Sequence, residues 1–231
     1  MKSDVIIIGS ELDAFVASIR LNELGFSTRI FSNGKGSLLY SLGNIKILDL
    51  IDTDIKKNSP FSCFDKLNLN HPYNIIGKEN VKKSIDWFFG LNFFNRLKFN
   101  QYDYNINTLS PIGLKISCVG LYYKQICFND LENQEISIIE FENYKDFHSE
   151  LIAKSIKKFA KSIEIIKIQQ PDFSKNSDSS SLAISFDNLE NPESYFNNLK
   201  KRLNKNSSIV IFPAVMGLNK YIKVIQTAEK I

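Results

Sequence analysis

Four β-branched residues in a row, Val5-Ile6-Ile7-Ile8, follow a short polar lead and stop at Gly9. A run that is apolar at every position predicts a parallel strand buried on both faces. From Asp13 onward Ala14, Ala17, Ser18, Leu21 and Leu24 recur at helical spacing, and Gly25 supplies the stop. Small residues come first, which lets the helix pack closely onto a sheet. Ser27–Phe31 predicts a second buried strand and Asn33-Gly34-Lys35-Gly36 a turn. Together they make a strand–helix–strand unit of about thirty residues, the size of one parallel crossover.

The pattern loosens between Ser37 and Gln134. Glu79–Phe94 keeps a helical stripe (Val81, Ile85, Phe88, Phe89), and His71-Pro72-Tyr73 and Ser110-Pro111-Ile112-Gly113 read as turns. The last third alternates again. Strands are expected at Glu135–Phe141, Ser162–Ile168 and Ser208–Phe212, with Ile136–Phe141 and Ile209–Phe212 buried. Helices are expected from Asn143-Tyr144-Lys145-Asp146 through the stripe Phe147, Leu151, Ile152, Ile156 and Phe159, then over Asn191–Leu203 and Leu218–Lys230. Phe173–Ser181, rich in Ser, Asn and Asp, reads as a loop. Strands alternating with helices imply an α/β fold with parallel sheets. The expected division is residues 1–134, a Rossmann-like region with an irregular insertion, and residues 135–231, a second βαβαβ segment.

Composition narrows the function classes. The net charge of +4 is modest, and Lys82-Lys83, Lys157-Lys158 and Lys200-Lys201-Arg202 fall on helical patterns, where they form solvated faces. Nothing resembles the clustered basic and aromatic surface of a nucleic-acid binder, so none is expected as partner. No apolar run approaches the ~20 residues that cross a bilayer, so direct membrane insertion is not expected. Cys63, Cys118 and Cys127 show no metal-ligand spacing and read as reduced thiols of a cytoplasmic protein.

The candidate chemistry lies at the ends of the first two strands. Gly9-Ser10-Glu11-Leu12-Asp13-Ala14 stands where a Gly-x-Gly-x-x-Gly fingerprint would stand. Gly9 makes the turn, and Ala14 permits close helix–strand packing. Glu11 replaces the glycine over which a pyrophosphate would sit at the helix N-terminus. Two like charges about 4 Å apart repel by ~1 kcal/mol in water and ~4 kcal/mol at an effective dielectric near 20. Asp13 adds a second carboxylate, and both acids also complement the helix dipole. The stretch Gly34, Lys35, Gly36, Ser37, Ser41 and Gly43 could turn amides and an ammonium toward an anion or a flavin, or form an ordinary connecting loop. His71 reads as a structural turn residue, and His148 as a solvated helix residue.

Several ordered pieces resemble one family, the B subunit of anaerobic glycerol-3-phosphate dehydrogenase. They are Asp4–Gly9; Gly34-Lys35-Gly36-Ser37-Leu38 with Ser41-Leu42-Gly43-Asn44-Ile45; His71-Pro72-Tyr73 followed by Trp87-Phe88; Ser110-Pro111-Ile112-Gly113-Leu114; and Phe212-Pro213-Ala214-Val215-Met216-Gly217-Leu218. The resemblance implies an FAD/NAD(P)-binding type of fold and FAD or FMN as cofactor, held by Gly9, Ser10, Ala14, Gly34, Lys35, Gly36, Ser37, Ser41 and Gly43. It also implies a heteromeric flavoprotein oxidoreductase that takes a small phosphate substrate, sn-glycerol 3-phosphate, to dihydroxyacetone phosphate. Electrons would pass to quinone through flavin and iron–sulfur subunits, and the complex would lie in the cytoplasm, peripheral to the inner membrane through those partners. The chain ends soon after Gly217-Leu218, where the family continues, and is read as a shortened member. No residue is assigned a catalytic role or a metal. A flavin-free scaffold subunit of such a complex is the alternative reading.

Overall fold

The computed structural model describes residues 2–34, 36, 43–48, 59–91, 97–99, 105–122, 124–171 and 178–230. They form two compact units, Met1–Asn105 with Cys118–Tyr123, and Ile106–Ser117 with Lys124–Ile231.

The first unit opens with strand β1 (Val5–Ile8), helix α1 (Leu12–Glu23) and strand β2 (Thr28–Phe31). The two strands are parallel, in register from Val5↔Thr28 to Ile8↔Phe31. Side chains fix the crossover at both ends. The Asp4 carboxylate accepts from the Ser27 N–H and hydroxyl, and Ser18 Oγ lies 2.6 Å from Thr28 Oγ1. The expected burial on both faces is corrected here: Val5 and Ile7 are half-buried, but Ile6 and Ile8 on the opposite face are 61% and 87% exposed, and Phe31 is exposed beside Ile8. The reason is that β1 pairs only with β2 among the described residues, so the sheet is too narrow to be enclosed.

A 3-10 turn (Pro60–Lys66), helix α2 (Pro72–Ile76) and helix α3 (Lys78–Phe89) surround a small core of Phe61, Phe64 and Val81. His71 does the structural work expected of it: its Nδ1 accepts from the Tyr73 N–H at 3.1 Å and caps α2. Helix α3 ends at Phe89, with Gly90 as its cap, short of the expected Phe94. Trp87 Nε1 donates to Glu23, tying α3 to α1, and Arg20 stands over the indole. Hydrogen bonds from Arg20 and Trp87 hold the Glu23 carboxyl below its ordinary value. Strand β3 (Leu97–Phe99) is in this unit as well.

The second unit starts with β4 (Ile106–Leu109) and β5 (Lys115–Cys118), which pair with each other. Their Ser110–Leu114 turn is pinned to helix α4 (Ser149–Ile156). Ser155 Oγ donates to the Gly113 carbonyl at 2.6 Å, and a Cβ on Gly113 would meet the Leu151 carbonyl oxygen at 2.6 Å. Strand β6 (Gly120–Tyr122) returns to the first unit and pairs antiparallel with β3.

The rest of the second unit is β7 (Glu135–Phe141), α4, β8 (Ser162–Ile168), α5 (Ser179–Asp187), α6 (Pro192–Lys200), β9 (Ile209–Ile211) and α7 (Tyr221–Glu229). The sheet order is β8-β7-β9, all parallel. This is the expected α/β architecture with its second βαβαβ segment. Ile136 and Ile138 on one face of β7 pack with Phe147, Ile152 and Ile156 of the α4 region. Ile139 and Phe141 on the other pack with Leu182, Phe186, Phe196, Leu199 and Val224 from α5, α6 and α7.

Local departures have local causes. The helix expected from Asn143 begins at Ser149, because Asn143 is left-handed (φ 62°) and the chain is still turning. Asp146 instead accepts from the Ser179 hydroxyl at 2.7 Å. His148 is exposed, as expected, at the cap position of α4. Of the expected apolar stripe, Leu151 and Phe159 are exposed. The expected polar loop contains the start of α5, capped by Asp178, which accepts from the Ser181 N–H. Val210 of β9, expected buried, is exposed.

The stretch before α7 is held by one carboxylate. Asp187 is 6% exposed and accepts from three successive main-chain N–H groups, Leu218 at 3.1 Å, Asn219 at 2.7 Å and Lys220 at 2.8 Å. Gly217 (φ 96°) has no room for a side chain, since a Cβ would lie 2.8 Å from Asp187 Oδ1. Burial pushes the Asp187 carboxyl up, but the donors from Asn219, Lys220 and Leu218 outweigh it and hold it below its ordinary value. A depressed carboxyl stabilises the fold fully above the unfolded value of about 4 and loses that contribution as pH falls through the folded value. Asp187→Asn is expected to cost about 2 kcal/mol at neutral pH, the scale of a charged hydrogen bond. Urea unfolding followed by circular dichroism should show the gap between variant and parent closing as pH drops below about 4.

Candidate functional site: the glycine loops after β1 and β2

The first unit brings the two glycine-bearing loops together. Gly9 leaves β1 with φ 133°, and its N–H donates to the Phe31 carbonyl at 2.8 Å, so the C-terminal ends of β1 and β2 are joined there. Gly36 lies directly against Ser10: a Cβ on Gly36 would stand 2.1 Å from the Ser10 carbonyl oxygen. Only glycine permits that approach of backbone to backbone. By contrast, among the described residues nothing lies within 4 Å of a Cβ placed on Gly9 or on Gly34 (φ 96°). No described residue therefore crowds either turn, at the carboxyl ends of parallel strands where ligands of such sheets bind. Ala14 is the buried residue of α1, which fits its assigned role of close packing.

The charge in the loop opposes this backbone fit. Glu11 is the N-cap residue of α1, exposed, and its side chain caps no backbone amide. The Ala14 N–H is taken by the chain's own Asp13 carboxylate at 2.8 Å, as well as by the Glu11 carbonyl at 3.1 Å. A cofactor pyrophosphate at this helix mouth would meet two carboxylates, one already holding a first-turn amide. Ser32, which follows β2, donates to the Gly34 carbonyl at 3.2 Å. The backbone of these loops leaves room beside the described residues, while the carboxylates at the helix mouth oppose a pyrophosphate.

Gly43 stands beside a different element. Two residues on, Ile45 exchanges main-chain hydrogen bonds with Val119 and Gly120 near β6. Asn44 Nδ2 is buried without a partner among the described residues, as is Asn105 Oδ1, although Asn105 Nδ2 donates to the Leu48 carbonyl at 3.0 Å. These orphaned atoms are the kind a ligand's polar edge could meet. Asn105 has no neighbouring motif, and nothing in the sequence singles it out. Lys35, Ser37 and Ser41 lie outside the described residues. Among the described residues, no group of three or more His, Cys, Asp or Glu side chains could hold a metal ion.

No protein-family model and no solved structure matches the chain. Curated proteins do. The chain is 27% identical over 166 residues to a protein of Aliivibrio fischeri (strain MJ11) named as the B subunit of anaerobic glycerol-3-phosphate dehydrogenase, covering 68% of this chain and 36% of that protein. Proteins of the same name from Actinobacillus pleuropneumoniae serotype 5b (strain L20) and Vibrio cholerae serotype O1 (strain M66-2) are 24% and 22% identical over 95% and 94% of the chain. The chain spans 55% and 53% of those two proteins, about half their length. The resemblance read from the sequence thus holds along nearly the whole chain.

The two glycines of the second loop should respond differently to alanine. Gly36→Ala sets a side chain against backbone and should displace the loop from Ser10, at a cost of about 3 kcal/mol or more. Gly34→Ala meets open space and should cost only the left-handed backbone penalty of about 1 kcal/mol. Urea titration read at Trp87, the single tryptophan, measures both, and equal losses would show that Gly36 is not packed on Ser10.

Proposed function

Proceeding from this distant relationship, we propose that the chain is a subunit of a multi-subunit oxidoreductase that converts sn-glycerol 3-phosphate to dihydroxyacetone phosphate. Electrons would leave toward quinone through partner subunits of flavin and iron–sulfur type, with the complex in the cytoplasm. The observation that supports a ligand-holding role is the seating of Gly36 on the Ser10 carbonyl beside the open turns of Gly9 and Gly34. A flavin, FAD or FMN, would lie against Gly9, Ser10, Gly34 and Gly36, with Lys35, Ser37 and Ser41 contributed by the same loop and Gly43 by its continuation. Its chemistry would be the redox step; the chain's own part is to place it. No described side chain is assigned as the acid or base.

A second reading, a flavin-free scaffold of the same complex, is favoured by the Asp13 carboxylate on the Ala14 amide and by Glu11 at the cap.

Glu11→Gly separates the two. If flavin dinucleotide can occupy this turn, removing bulk and charge should tighten its binding by about thirtyfold for each ~2 kcal/mol of repulsion relieved. The gain should be greater at low salt, where screening is weakest. Titration with flavin adenine dinucleotide and with riboflavin, which carries no phosphate, should show the gain for the first alone. An equal response to both, or none to either, would favour the scaffold.

A further inference from the structure

Residues 67–76 of the first unit turn the usual distribution of polar and apolar side chains inside out. Leu67 and Tyr73 pack against the Phe61, Phe64 and Val81 core and anchor the segment. Between and after them the asparagines hold the backbone. Asn74 Nδ2 donates to the Leu67 and Asn68 carbonyls, and Asn68 Oδ1 accepts from the Asn70 N–H. His71 caps α2. The apolar side chains are left outside: Leu69 is 86%, Ile75 74% and Ile76 51% exposed. The reversal that presents them is a fixed structure with several hydrogen bonds, not a frayed end.

The surrounding charge has one sign in excess. From Asp65 to the end of α3 the chain carries Lys66, Lys78, Lys82 and Lys83 against Asp65, Glu79 and Asp86, and all seven are exposed. Lys78 follows Ile76 with only Gly77 between. Three exposed apolar side chains make too small a patch for a stable protein interface, which takes roughly 800 Å² from each partner. Shallow insertion of a few apolar side chains beside lysines is how peripheral proteins hold an anionic lipid surface.

We propose that the Leu67–Ile76 reversal is a membrane-surface contact, with Leu69, Ile75 and Ile76 entering the headgroup region of an anionic bilayer and Lys78, Lys82 and Lys83 facing its phosphates. This is a contact with the interface and not a span, and among the described residues no helix is long and apolar enough to cross. It gives the chain a lipid contact of its own, where the sequence led only to one through partner subunits. It does not depend on the proposed enzymatic role.

The test is co-sedimentation of the full chain with vesicles of phosphatidylcholine alone and with a third phosphatidylglycerol. Binding is expected to the anionic vesicles only, and to weaken as salt is raised. Leu69→Ser with Ile75→Ser should lower partitioning about tenfold per residue, and Lys82→Gln with Lys83→Gln about fivefold per charge. Unchanged circular dichroism and Trp87 emission would show that the variants are folded. Absence of binding at low salt overturns the proposal, as does binding indifferent to Leu69 and Ile75. So does a concentration-dependent dimer that the Leu69/Ile75 substitutions abolish, which would give the patch to a second copy of the chain.

Discussion

Strand β7 is the constraint on which the second unit is built. It alone among the described strands lies between two other strands, paired along seven residues with β8 and three with β9. It also has both faces covered by helices. Ile136, Ile138, Ile139 and Phe141 are essentially removed from water. Each is worth on the order of 1.5–3 kcal/mol of transfer free energy before chain entropy is set against it. The charge this strand carries near its end is handled locally, since Glu140 accepts from the Ser149 hydroxyl and lies 3.3 Å from Lys167. A strand so enclosed must be apolar on both sides, which is why its bounds could be read from the sequence to the residue.

The elements that could not be read are those whose stability comes from outside themselves. Helix α5 opens with three serines and carries little helical patterning; it exists because Asp178 caps it and Leu182 and Phe186 reach the core. The expected start of α7 at Leu218 is moved to Tyr221 because Asp187, thirty-one residues earlier, claims the amides of the intervening turn. Strand β1 misled in the opposite direction. Its four consecutive β-branched residues are the pattern of a fully enclosed strand, yet enclosure is a property of neighbours, and a pattern cannot say whether they are there.

The same division runs through the candidate site. Gly9, Gly36 and Ala14 were legible because backbone geometry forces the residue type: a positive φ, a contact with a carbonyl, a buried helix face. Whether a ligand uses the turn depends on charge, and charge is where the loop departs from the dinucleotide pattern. The relatives are 22–27% identical to the chain, too little to carry each position's chemistry. Asn44 and Asn105, each with one amide atom unpartnered among the described residues, show the limit most plainly, because nothing about an asparagine in a sequence says that a partner will be missing.

The two units are interleaved along the chain, and that limits how the molecule can be divided. Stopping before Ile106 removes β6, on which β3 and Ile45 depend for their main-chain partners. Starting at Lys124 removes the Ser110–Leu114 turn on which α4 is seated. No single cut yields both units whole. A gene truncation inside residues 106–123 would therefore leave neither unit whole, and any shuffling of these modules in evolution or design would need to carry the short exchanged segments with them.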